Sequence, residues 1–328
     1  MSRARITTGL ILACLFVMSA GGQQDSCRQR TIPVSIFGVD GSPVPLLSSA
    51  NLEGSYRKKP VAVTGAVINR EPPRVVLLLD ASASMHGPRS QHDLNFSVDL
   101  AEDLLSGMPS ASEVGLGFFS EELEPIARPT SDRKTLIYQL EGLRSNPSSS
   151  RGKTALWAAI FDSVKMFERP RLGDAIYVIT DGGDNLSHIT AKDVARTLGE
   201  ASVRLFAFVF QRERDSAATS PEERTGPAIV HQVVDDTGGT IVGYEGDSFG
   251  VFTKSHDSAF VGKSGKPTRL GSLLGSQYRQ LSSFYRVDID LPETLDKPQK
   301  WELDLTGFGK SERDKLVLRY PHMLVPCH

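Results

Sequence analysis

Asp80, Ser82 and Ser84 set one carboxylate and two hydroxyls at alternate positions directly behind the apolar run Val75-Val76-Leu77-Leu78-Leu79. Oxygen donors of this kind suit a hard divalent cation such as Mg²⁺, which takes oxygen ligands in near-octahedral geometry and keeps several waters. The same residues also fit a plain polar turn in which Asp80 caps the following helix. Two further segments bear on the choice. Ala175-Ile176-Tyr177-Val178-Ile179-Thr180-Asp181 repeats the pattern of an apolar strand ending in a carboxylate, and Arg151-Gly152-Lys153-Thr154 puts a hydroxyl at the start of a helix.

Taken in chain order as Asp-x-Ser-x-Ser, then Thr, then Asp, these residues resemble the metal-ion-dependent adhesion site of the von Willebrand factor A (VWA) family. Carried over position by position, the resemblance names Asp80, Ser82, Ser84, Thr154 and Asp181 as metal ligands. Ala83 stands where the family often has Gly, which should tighten the loop without removing a ligand. The resemblance implies a divalent cation, Mg²⁺ first with Mn²⁺ or Ca²⁺ open, and a protein partner whose Asp or Glu side chain supplies the sixth oxygen. Two carboxylates roughly balance the charge of the ion and three neutral hydroxyls leave it electrophilic. Binding rather than catalysis is expected, because no general base stands out beside a bound water.

Other chemistries fit the residues poorly. Phosphotransferases of the haloacid dehalogenase type need a second carboxylate two residues after the first, and that position is Ser82. Gly152-Lys153-Thr154 resembles the end of a phosphate-binding loop, but the required leading Gly falls on Pro147. No Gly-x-Ser-x-Gly elbow is present, and the histidines show no paired metal spacing. His86 and His188 stand close behind the two carboxylate loops and either fits the ligand face or an ordinary solvated loop.

These donors must be positioned by strands and helices, and the hydrophobic periodicity supplies them. The run 75–80 is a strand buried on both faces, and in open α/β sheets ligands sit beyond the carboxyl ends of such strands. Residues 93–108 carry Phe96, Leu100, Leu104 and Leu105 at helical spacing. Strand 114–120, an edge strand at 124–128 marked by Pro125, and a helix at 132–143 follow. A helix at 154–167, strand 175–180, helix 193–201, strand 203–210, helix 227–236, a short strand at 241–242 and a last helix around 270–281 complete the alternation. The fold class expected is α/β, a doubly wound, mostly parallel sheet with β-rich flanking segments from both termini.

The expected division is 1–22 signal peptide, 23–72 N-terminal β-rich segment, 73–283 VWA domain and 284–328 C-terminal β-rich segment. Residues 1–22 join a basic start to an apolar stretch of about 15 residues and small residues suited to cleavage, short of the roughly 20 needed for a span. An exported protein follows, periplasmic or secreted, with Ile11-Leu12-Ala13-Cys14 offering a lipid anchor as the lesser alternative. Without Cys14 the mature chain keeps Cys27 and Cys327, and export makes a disulfide between them plausible, worth about 4–5 kcal/mol in the chain-entropy account. Alternating patterns at 31–39, 59–69, 284–291, 300–305 and 315–320 read as strands. With Val39-Asp40-Gly41-Ser42-Pro43-Val44 and Ser283-Phe284-Tyr285-Arg286-Val287, they make the whole chain similar to the VWA-related domain proteins common in Acidobacteria.

At 328 residues, 39% hydrophobic and a formal net charge of −2, the chain can bury a full core and offers no basic face for nucleic acid. Specificity toward a partner is expected in the loops around the ion. The segment 211–225 follows a strand end there and carries Arg212, Arg214, Glu222, Glu223 and Arg224, which fits a partner-binding loop or a solvated insertion.

Overall fold

The computed structural model describes residues 27–38, 44, 47–85, 93–145, 152–211, 221–245, 248–251 and 270–327. Three strands come first: β1 Gln29–Gly38, β2 Leu52–Tyr56 and β3 Lys59–Ile68. The central part alternates β4 Arg74–Asp80, helix Asp93–Gly107, β5 Glu113–Phe119, β6 Leu123–Thr130, helix Arg133–Ser145, helix Leu156–Ser163 and β7 Ala175–Thr180. It continues through helix Ala191–Glu200, β8 Arg204–Gln211, helix Pro221–Thr237, β9 Ile241–Glu245, β10 Ser248–Val251 and helix Leu270–Ser282. The chain closes with β11 Tyr285–Asp290, β12 Gln299–Lys300, β13 Glu302–Leu305, a short helix Lys310–Arg313, β14 Leu316–Arg319 and β15 Met323–Leu324.

Seven strands form the central sheet in the order β10-β9-β8-β7-β4-β5-β6. β9, β8, β7, β4 and β5 run parallel, while β6 and β10 close the two edges antiparallel. This is the mixed α/β, mostly parallel architecture expected from the alternation. In β4 the side chains divide strictly by parity: Val75, Leu77 and Leu79 enter one core, Val76 and Leu78 the other. Helices Asp93–Gly107, Arg133–Ser145 and Leu270–Ser282 cover the first face, and the helices that contribute Leu156, Val194, Leu198 and Val230 cover the second. Leu77, Leu78 and Leu79 are at most 2% exposed, so each contributes roughly 2 kcal/mol relative to an exposed side chain. An apolar run without alternation is what burial on both faces demands.

The flanking strands build one antiparallel six-stranded sheet, β13-β2-β3-β11-β1-β14, which draws on both ends of the chain. Its core holds Val34, Tyr56, Val61, Val287, Ile289, Trp301 and Leu303. This second module meets the first at the amino ends of the parallel strands. Arg204, the first residue of β8, is only 1% exposed. It donates from Nη1 to the Gln280 carbonyl at 2.8 Å and from Nη2 to the carbonyls of Gly173 at 3.0 Å and Leu281 at 3.1 Å. Nη1 also reaches Ser35 Oγ of β1 at 3.4 Å, and the guanidinium lies over the rings of Phe206 and Phe284. Burial pushes its pKa down to about 9.

Several expected boundaries move. The strand expected at 300–305 is interrupted at Trp301, whose indole donates to the Pro321 carbonyl at 2.7 Å, so β12 and β13 pair with different partners. The helix expected at 227–236 begins six residues earlier, at Pro221, and keeps Pro227 in its interior. Proline at the first helical position needs no hydrogen-bond acceptor, and exposed Glu222 in that turn suits the positive end of the helix. Strands β2 and β10 have no counterpart among the expected elements. Cys27 and Cys327 are thiols, both half-buried.

Candidate metal centre

Asp80 ends β4, and its carboxylate is fully buried. Oδ1 accepts from the Ser82 amide at 2.9 Å and Oδ2 from the Thr180 hydroxyl at 2.6 Å. The second contact is a product of register. β4 and β7 run parallel with Leu79 opposite Ile179, so Thr180 arrives beside Asp80 and Asp181 lies one residue beyond. Thr180 Oγ1 in turn accepts from the Gly182 amide at 3.0 Å, and Asp181 Oδ1 accepts from Gly183 at 3.0 Å. Both carboxylates are thereby fixed by the turns that follow them.

Ser82 is buried and its Oγ lies 3.0 Å from that of half-buried Ser84. The loop they share, a turn of 3₁₀ helix at Ala83–Met85, is tied on two sides: the Ala81 amide donates to the Phe119 carbonyl at 2.7 Å and Ala83 to Gly152 at 3.3 Å. The second tie brings the loop to the segment that carries Thr154. Gly152 has φ +118°, a backbone conformation that residues with a side chain rarely adopt, so glycine is favoured there. Thr154 is 4% exposed. Its amide donates to Asn185 Oδ1 at 2.9 Å, and its carbonyl accepts from the amides of Asn185 and Leu186 at 3.0 and 3.1 Å. All five residues named from the sequence thus fall in loops at the carboxyl ends of β4 and β7 or in the loop bonded to both.

Electrostatics distinguish this cluster from a polar turn. The pKa of Asp80 is raised to about 7, first by burial and second by the charge of Asp181, against the opposing hydrogen bonds from Ser82 and Thr180. Two carboxylates crowded together out of water are unstable as anions unless a cation sits with them. Among the described residues no group of three or more His, Cys, Asp or Glu gathers for a metal, so any ion here takes two carboxylates and completes its shell from hydroxyls and water. That donor set fits Mg²⁺ and similar hard cations.

Thr180 and Asn185 are the positions the sequence does not announce. Thr180 acts through a strand register that no local pattern encodes, and Asn185 stands out only as the first residue of the Asn-x-Ser triplet Asn185-Leu186-Ser187. The only signal toward the site for either was its closeness to Asp181.

Arg212 and Arg214 lie outside the described residues, so the expected partner-binding loop is only partly visible. Glu222, Glu223 and Arg224 belong to the first turn of helix Pro221–Thr237 rather than to a loop, with Glu222 and Arg224 exposed. This helix touches the site. Gly226 lies so close to the turn after Asp181 that a Cβ on it would stand 1.9 Å from the Gly182 carbonyl oxygen. His188 is exposed, and His86 lies outside the described residues.

Residues 75–183 match the profile of the von Willebrand factor type A domain, a span that holds all five candidate donors. This segment, set in the seven-stranded sheet, forms a von Willebrand A-type domain. Solved structures similar to the chain include an aerotolerance-related membrane protein from Bacteroides fragilis, at 23% identity over 49% of this chain and 86% of that one, TM-score 0.39. The conserved hypothetical protein BatB from Bacteroides thetaiotaomicron gives 22% identity over 53% and 89%, TM-score 0.41. Proximal thread matrix protein 1 from the mussel byssus gives 13% identity over 52% and 47%, TM-score 0.38. No curated protein matches.

Proposed function

We propose that this chain is an exported, metal-dependent protein-binding module in which Asp80, Ser82, Ser84, Thr154 and Asp181 hold a divalent cation, Mg²⁺ first, that engages an Asp or Glu of a partner protein. The observation that carries the reading is the pair of buried carboxylates, Asp80 and Asp181: burial first, and the charge of Asp181 second, raise the Asp80 pKa to about 7. When bound, the ion supplies an electrophilic centre with a coordination position left for an outside oxygen. The protein's own groups do the rest. Thr180 and the Ser82 amide fix the orientation of Asp80, and Asn185 fixes the backbone of Thr154.

Binding rather than turnover is the reading, because both carboxylates serve as ligands and neither is left to act as a base. Export is supported by the basic and apolar pattern of residues 1–22, with Cys14 as a lipid-anchor alternative. No helix among the described residues is long and apolar enough to cross a membrane. Arg212, Arg214, Glu222, Glu223 and Arg224 are the residues proposed to discriminate among partners, of which Glu222 and Arg224 are exposed.

The rival reading gives the metal a purely structural role. Asp80→Asn separates the two, since it keeps the shape and one acceptor oxygen while removing the charge. The binding reading expects Mg²⁺ affinity by calorimetry to be lost, Mg²⁺-dependent capture of a partner from the cell envelope to be lost with it, and the melting temperature in chelator to hold or rise. A variant that retains its partner but melts far lower favours the structural role. Wild-type protein that takes up no divalent cation overturns both.

A further inference from the structure

The end of the chain runs as a strap over the seam between the two modules. Leu324 enters the core of the six-stranded sheet, while Met323 beside it packs against a core of the seven-stranded one. Pro321 and Val325 press on two glycines: a Cβ on Gly238 would stand 2.7 Å from the Pro321 nitrogen, and one on Gly199 would stand 3.0 Å from a Val325 methyl. The strap then reaches the first strand, where Arg30 Nη2 donates to the Val325 carbonyl at 3.3 Å. Arg30, Val325 and Cys327 line one cavity of about 360 Å³. Cys27 precedes β1 by two residues. Its thiol and that of Cys327 are both half-buried, and the pKa of Cys327 is raised first by burial and then by the neighbouring Cys27 side chain.

We propose that Cys27 and Cys327 close a disulfide in the mature protein and so fasten the strap to β1. The bridge in the cell rests on the export reading, since only an oxidising compartment sustains it. Two S–H bonds break and one S–S bond forms. The two electrons and two protons pass to the disulfide of a thiol–disulfide oxidoreductase, which leaves as the dithiol. The ring so closed contains nearly the whole mature chain, the case in which cross-linking restricts the unfolded state most.

The test uses the purified full chain. After incubation with glutathione disulfide, alkylation without reduction and digestion, mass spectrometry should find the Cys27 and Cys327 peptides joined and two hydrogens lighter than their sum. Reduction should then lower the melting temperature by about 5 °C or more, a response that Cys27→Ser and Cys327→Ser both lack. Two alkylated thiols after oxidation overturn the pairing in any compartment. A bridge whose reduction leaves the melting temperature unchanged overturns the fastening role. A bridge formed in the tube but absent from protein taken from cells overturns the export reading and leaves the pairing standing.

Discussion

Asp80 holds its proton far above the ordinary carboxylate range, and the consequence for stability has a definite sign. Its pKa rises on folding from an ordinary 3.8 to about 7, so between those values the native state binds more protons than the unfolded one. Stability of the metal-free protein should therefore fall as pH climbs from about 4 to about 7, by at most about 4 kcal/mol, and level off beyond. Mg²⁺ needs the ionised form, so its affinity should rise through the same window. Melting curves against pH, in chelator and in Mg²⁺, check both trends, and Asp80→Asn should flatten the chelator curve. Thr180→Val removes the donor to Asp80 and the acceptor of the Gly182 amide with little change of volume. It should weaken Mg²⁺ by about 10–100-fold, as read by calorimetry, with the fold retained. At this scale the sequence displays residue types and order, which suffices to name five candidate donors. It does not display who hydrogen-bonds to them, and Thr180 and Asn185 stayed hidden for that reason.

Elements differ in how plainly they announce themselves. β4, β7 and β8 are legible because strands buried on both faces must be continuously apolar. β2, Leu-Glu-Gly-Ser-Tyr, is short and contains Gly54, and its hairpin to β3 turns through Arg57 and Lys58 at positive φ, with none of the Gly or Asn that usually marks such a turn. Helix Pro221–Thr237 is misjudged at its start because Pro227 reads as a first helical position when it is an interior one. The cost of that interior proline is a missing hydrogen bond, and the Gly226-Pro227 step is also where the helix lies on the turn after Asp181. Gly226→Ala should therefore act on the site as well as on the helix. An added methyl 1.9 Å from the Gly182 oxygen must displace one of them, costing about 1–3 kcal/mol. Thermal melting and Mg²⁺ titration should both show a loss; an effect on melting alone would mean that the helix yields and the Asp181 turn does not.

Among the described residues the two modules are joined by packing, by buried Arg204 and by the ion pair of Arg319 with Asp235. Arg204 supplies donors to the carbonyls of Gly173, Gln280 and Leu281, which no apolar side chain can replace. Arg204→Leu should destabilise the protein by about 3–5 kcal/mol, visible as an early or split transition in calorimetry. Mg²⁺ affinity measured below that transition should be unchanged, since the residue sits at the opposite edge of the sheet from Asp80. The pairing of the two termini into one sheet was legible from alternation in both flanks. Its contact with the α/β module was not, because the sequence gives Arg204 no mark that separates it from a surface arginine.

The parallel strands carry Asp80 and Thr180 at their carboxyl ends and Arg204 at the amino end of β8. Cys327 lines one cavity with Ser202, Val203 and Thr237 at that amino edge, and Cys27 stands beside it at the start of β1. The molecule accordingly has a polarity, with both described ends of the chain at one pole and the loops of Asp80 and Thr154 at the other. Immobilised on a sensor surface or a bead through a tag at its carboxyl terminus, it should present the Asp80 face outward and bind soluble ligand at full capacity.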